Sequence, residues 1–122
     1  MFESLISKFP MPIPVDFMAR EAIGPYAVEF SDCEAQYKDN WNWRGPVASF
    51  LDENNRTVAI IMLAGPCYVG DQRDNPLDRL DADFYVDKKE SPFYGEDVSP
   101  EQFIEFMMTE YPPIAEWLLW HL

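Results

Sequence analysis

The chain has 122 residues and a formal net charge of −13, since 22 aspartates and glutamates stand against 9 lysines and arginines. Its length fits a single domain over residues 1–122, and 48% hydrophobic with 16% aromatic residues is enough to pack a core without metals or disulfides. The negative charge excludes direct binding to nucleic acid or to anionic membranes, whose phosphates would be repelled, and it favours a basic protein partner.

The first part of the chain contains two predicted helices. Four apolar residues at helical spacing predict a short first helix, and three prolines prevent its continuation (Phe2, Leu5, Ile6, Phe9; Pro10, Pro12, Pro14). Residues 15–23 predict a second short helix, with Asp16 near its start and Gly24-Pro25 as its stop signal. We therefore expect short helices before the first strand.

The middle of the chain predicts a sheet. Four segments have strand-like apolar patterns and follow one another: residues 26–31, 47–51, 57–63 and 82–86. The first alternates between apolar and polar or small residues, which is typical of a half-buried strand. The third is uniformly apolar from Val58 to Leu63, so both of its faces should be buried and it should be the central strand. Short polar connections favour an antiparallel meander.

The last part of the chain predicts two helices. Ser99, Pro100 and Gln102 combine an N-cap, a first-turn proline and a capping-box residue. Pro112-Pro113 then breaks this helix and can start another. The fold class is therefore α+β: a small antiparallel β-sheet of three to four strands in a meander, with short N-terminal helices and two C-terminal helices packed on it.

The sequence shows no catalytic constellation. His121 is the single histidine, and near the end of the last predicted helix it is better placed to complement the helix dipole than to act as a base. Cys33 and Cys67 are expected to be reduced thiols. With three Cys and His residues in total, the chain lacks the four ligands of a structural zinc site. We expect no cofactor and no enzymatic activity.

An aspartate cluster provides the enzymatic alternative. Six aspartates lie between positions 71 and 87: Asp71, Asp74, Asp78, Asp81, Asp83 and Asp87. The preferred interpretation is a solvated acidic loop, because the glycine that a calcium-binding EF-hand loop requires is absent. The alternative is a small metal-dependent hydrolase that places Asp78, Asp83 and Asp87 around magnesium.

Acidic and aromatic residues are the candidate binding residues. Residues 90–122 contain seven acidic residues and no Lys or Arg, and Glu101 and Glu105 should share one helix face. Trp41 and Trp43 lie in a polar run, and Trp120 lies partly off the apolar stripe of the last helix. The residues predicted to bind a partner are Trp41, Trp43, Asp78, Asp81, Asp83, Asp87, Glu101, Glu105 and Trp120.

These features predict an acidic, non-enzymatic inhibitor of a basic protein that acts on nucleic acid. By analogy of composition, the chain fits an immunity protein of a toxin nuclease or a phage anti-defence (anti-CRISPR) protein. It could mimic DNA only if most acidic groups gathered on one side, so a patch that fits one basic pocket is preferred. A further alternative is an assembly component with a homo-oligomeric interface. The N-terminal residues lack the pattern of a secretory signal, so we expect a cytoplasmic protein.

Overall fold

The fold is described from a computed structural model. It describes the backbone of residues 3–10, 14, 16–36, 41–62, 67–68, 83–86 and 97–121, and the side chains of residues 4–5, 7–10, 14, 16–31, 46–62, 84, 86 and 98–121. Within these ranges, no helix is long and apolar enough to cross a bilayer.

An antiparallel sheet and two C-terminal helices form the domain. The strands are β1 (Met18–Ile23), β2 (Tyr26–Gln36), β3 (Trp41–Leu51), β4 (Thr57–Met62), β5 (Cys67–Tyr68), β6 (Asp83–Val86) and β7 (Asp97–Val98); the helices are α1 (Glu3–Ile6), α2 (Pro100–Glu110) and α3 (Pro112–His121). The strand order is β1-β2-β3-β4-β6-β7, and β5 pairs with β3. The first four strands are a meander, and the helices pack on it, so the predicted α+β class is confirmed.

The prediction of a second N-terminal helix over residues 15–23 is wrong, because this segment contains β1. Gly24 and Pro25 form a two-residue hairpin loop, and Ile23 pairs with Tyr26 across it. Gly24 has a φ of 59°, which suits the first loop position of a type II′ turn. Pairing with β2 therefore overrides the helical tendency of the segment. The first predicted helix is a single turn, α1.

The helix-facing side of the sheet is built from two rows of buried side chains in register. One row is Val28, Phe50, Ala59 and Val86; the other is Phe30, Ala48, Ile61, Phe84 and Val98. Alanines lie directly opposite the large rings, as Ala48 does to Phe30 and Ala59 to Phe50, and leave room for them. On β4, the helix-facing residues Ala59 and Ile61 are 0% exposed. On the other face Val58 is 5% exposed, whereas Ile60 and Met62 are half-buried. The predicted interior position of this strand is confirmed, since it lies between β3 and β6. The predicted burial of both faces holds for the helix-facing side, and the other face is only partly covered.

The C-terminal helices close this core. Phe103 and Met107 of α2 are fully buried, and the Phe103 ring lies 5.1 Å from that of Phe84. The start of α2 has the predicted capping box: Gln102 donates its backbone N–H to the Ser99 hydroxyl, and Ser99 donates its own to the Gln102 side chain, both at 3.1 Å. This reciprocal pair satisfies backbone donors that the first turn of a helix leaves without partners.

Candidate binding surface

The exposed side of α2 carries two parallel rows of side chains. Pro100, Ile104 and Met108 form an apolar row, and Glu101 and Glu105 form an acidic row beside it. Residues four apart stack on one face of a helix, so the sequence spacing alone produces both rows. Together they line a shallow groove of about 380 Å³. Met108 is 56% exposed, so the apolar row is open to solvent.

The acidic row of α2 is open to solvent. Glu101 and Glu105 are exposed, and neither forms an ion pair with another residue in the described part of the chain. Their predicted shared face is confirmed, since both line the same groove. Like charges four residues apart repel by a few tenths of a kcal/mol, roughly 0.2–0.5. The helix therefore tolerates a small electrostatic cost that a cationic ligand would relieve.

The outer side of α3 exposes two large apolar residues. Trp120 is 81% exposed and Leu119 is 62% exposed. The buried side of this helix is formed by Ile114, Ala115 and Leu118. Each residue turns a helix by 100°, so Trp120 lies about 200° from Leu118 and faces away from the core. The predicted partner-binding residue Trp120 is thus at the surface.

Trp117 belongs to the fold rather than to this exposed surface. Its ring packs against Phe50 at 5.9 Å and against Phe30 at 6.2 Å. The His121 ring stacks on the Trp117 ring at 4.0 Å between centroids, with 18° between the ring planes. The His121 Nδ1 lies 2.7 Å from the backbone oxygen of Trp117, and since a carbonyl oxygen only accepts, the ring donates through this nitrogen. His121 therefore binds the backbone one turn earlier in the last turn of α3.

Glu21 connects this aromatic stack to the rest of the fold. One carboxylate oxygen accepts from the Trp117 indole N–H at 2.6 Å, and the other accepts from the Lys8 ammonium at 2.9 Å. The Lys8 hydrogen bond lowers the pKa of Glu21. Partial burial opposes this effect, whereas the Trp117 N–H and the charges of Lys8 and His121 add to it. Sequence analysis did not identify Glu21, because its partners lie far away in the chain.

Comparison with known proteins gives no assignment. No protein-family model, curated protein or solved structure matches this chain. A functional conclusion therefore depends on the shape, exposure and charge of the surfaces themselves.

The other predicted binding residues are only partly placed. Trp41 and Trp43 lie on β3, where Trp43 pairs with Ala35 of β2, and their side chains lie outside the described residues. Asp83 begins β6, and its side chain also lies outside them. Asp78, Asp81 and Asp87 lie wholly outside. Among the residues that are described, no group of three His, Cys, Asp or Glu side chains is placed to hold a metal.

Proposed function

We propose that this chain is an acidic binding protein that inhibits a basic protein acting on nucleic acid. The observation that carries the proposal is Trp120, a tryptophan 81% exposed on α3. The two C-terminal helices, residues 100–121, contain no Lys or Arg. Tryptophan, with tyrosine and arginine, is enriched among the residues that dominate binding at the centres of protein interfaces. Its exposure leaves apolar area in water that a partner would cover.

Charge supports the class of partner. A net charge of −13 attracts cationic surfaces over long distances and accelerates association with them. Surfaces that hold nucleic acid are rich in Lys and Arg, since they must neutralise phosphates. An acidic protein bound to such a surface would compete with the nucleic acid. Exclusion of the substrate would be the mechanism of inhibition, in a toxin nuclease as well as in a defence effector.

The acidic residues of α2 and the exposed apolar residues of α3 would act at different steps. Glu101 and Glu105 are exposed charges that increase the association rate, and rim charges of this kind mostly affect encounter. Trp120 and Leu119 provide apolar contacts that form on docking and slow dissociation. Loss of the charges should therefore reduce the association rate, and loss of the indole should increase the dissociation rate.

The proposal can be tested by affinity capture with matched variants. Proteins bound by the wild type from the native host would be compared with those bound by Trp120→Ala and by Met18→Ala, a control that shortens a residue 66% exposed on β1. We expect the wild type and Met18→Ala to capture a basic, nucleic-acid-binding protein that Trp120→Ala does not capture. Added DNA or RNA should displace this protein from the wild type.

Salt provides the second criterion. Between about 0.1 M and about 1 M salt the Debye length falls from about 10 Å to about 3 Å, so the association rate with this protein should fall steeply. A captured protein that is acidic, or whose binding is insensitive to salt, to nucleic acid and to Trp120→Ala, would overturn the proposal. If instead light scattering shows a dimer that Trp120→Ala dissociates, the surface serves self-assembly.

A further inference from the structure

We infer that the groove on α2 binds a helix of the partner, and that this helix presents an apolar row flanked by two Lys or Arg residues four positions apart. The inference rests on the proposed function and adds the chemistry of the bound segment. It depends on the two adjacent rows of α2, one apolar (Pro100, Ile104, Met108) and one acidic (Glu101, Glu105).

The shape of the groove favours a helix as the occupant. Rows of residues spaced by four form ridges on a helix, and the commonest helix packing places the ridge of one helix into the groove between two ridges of another. The groove of α2 lies between two such ridges and is shallow, as the surface of a single helix is. In this packing the two ridges run side by side, so equal residue spacings remain matched along them.

The spacing of the two glutamates on α2 determines the spacing of the cations expected on the partner helix. Residues four apart on a helix are about 6 Å apart, so Glu101 and Glu105 provide two carboxylates at that spacing. Lys or Arg residues at positions i and i+4 of the partner helix repeat the same distance. Each carboxylate then has one cation opposite it. Neither has an ion-pair partner among the described residues, so binding would break no ion pair within that part of the chain.

The apolar row of α2 determines which side chains the partner helix should carry beside its cations. Met108 is 56% exposed and Ile104 is half-buried, so both offer area that a Leu or Ile of the partner would cover. Methionine is flexible and adapts its shape to different apolar neighbours. A second copy of this chain is disfavoured as the occupant, because two molecules of net charge −13 repel each other.

Two synthetic peptides of identical composition test the inference. Both are alanine-based helices of about 15 residues with a row of leucines. In the first peptide two arginines at i and i+4 flank the leucines, and in the second the arginines lie on the opposite face. Fluorescence anisotropy would measure the affinity of each for the full chain. We expect the first peptide to bind at least about fivefold more tightly, which is the upper range for one surface ion pair.

Variants of the chain locate the peptide. Glu105→Gln should raise the Kd of the first peptide about threefold, whereas Glu53→Gln, which removes the same charge from the exposed turn between β3 and β4, should leave it unchanged. Met108→Lys places a cation in the groove and should raise the Kd more than about tenfold. Both residues are exposed, so circular dichroism should show that each variant remains folded.

The outcomes separate this inference from the proposed function. Equal affinity for the two peptides, or no response to Glu105→Gln and Met108→Lys, would overturn the helix-binding groove. If the captured basic partner still depends on Trp120, the proposed function stands and its contact lies elsewhere. If no basic partner is captured, the proposed function fails even where the groove binds the first peptide.

Discussion

Trp117 donates its indole N–H to the carboxylate of Glu21 across 2.6 Å, although 96 residues separate the two in the sequence. The bond joins the last helix to the edge strand β1, and Lys8 on the N-terminal segment binds the other oxygen of the same carboxylate. Three separate parts of the chain therefore meet at one side chain. Because the groups involved are charged or aromatic and half-buried, their contribution to stability can be measured with conservative variants.

The indole N–H should contribute measurably to stability. Trp117→Phe keeps a ring against Phe30 and Phe50 but removes the donor to Glu21. We expect the free energy of unfolding to fall by about 1–2 kcal/mol in urea denaturation. Trp120→Phe is the matched control, since that indole is 81% exposed and its change should stay within about 0.5 kcal/mol. Equal losses in the two variants would contradict the assigned roles.

The Glu21 contacts should make stability depend on pH in the acidic range. The pKa of Glu21 is lowered below its usual value of 4.5 in the folded protein, chiefly by Lys8. A lowered pKa stabilises the fold above the unfolded value, and this stabilisation is lost as the pH falls through the folded value. The difference in unfolding free energy between wild type and Lys8→Met should therefore be largest near neutral pH. It should shrink below about pH 4.5.

This comparison isolates one carboxylate among many. The other acidic groups titrate in both proteins, so their contributions cancel in the difference. Urea denaturation at several pH values between neutral and acidic would measure it. If the difference in unfolding free energy between wild type and Lys8→Met stays constant or grows in acid, Lys8 does not act through Glu21. Arg20→Met is a suitable control, because Arg20 pairs with Glu29 rather than with Glu21.

The capping box should stabilise the helix that carries the groove. Ser99→Ala removes the acceptor for the Gln102 backbone N–H and should lower the free energy of unfolding by about 1 kcal/mol. Ser99→Gly should cost only a few tenths of a kcal/mol, because water then reaches the freed N–H. Thermal denaturation would show which of the two variants is more stable, and we expect this to be Ser99→Gly. The reverse order would indicate that Ser99 acts through some other contact.

Replacing Gly24 in the hairpin loop with a residue that has a side chain should destabilise the fold. Its φ of 59° is strained for L-residues, so Gly24→Ala should cost about 1–2 kcal/mol of unfolding free energy. Crowding is not the cause, since an added Cβ would lie 4.0 Å from the Pro113 side chain. Asn55 also has a positive φ, of 60°, and serves as the control. Asn55→Gly relieves backbone strain but removes the side-chain acceptor for Arg20. Because the two effects oppose each other, the change in unfolding free energy should be smaller than for Gly24→Ala. Similar losses at both positions would exclude strain as the explanation.

Several features of the fold could be predicted from local sequence. The Ser99 capping box, the proline that begins α3 and the uniformly apolar segment of β4 each fix a structure through neighbours in the chain. Glu101 and Glu105 share a face for the same reason, since helix periodicity alone places them there. The excess of negative charge is likewise a property of composition.

The tertiary structure decided what depends on distant residues. Residues 18–23 form a strand because β2 pairs with them, although the segment predicts a helix by itself. Two indoles three residues apart on α3 have different roles, because the sheet and Glu21 contact Trp117 whereas Trp120 faces away from the core. Glu21 could not be predicted as a central residue, since both of its partners approach it only after folding. Turns, caps and periodicity act over a few residues and are readable in sequence, whereas pairing and burial are set by which segments meet.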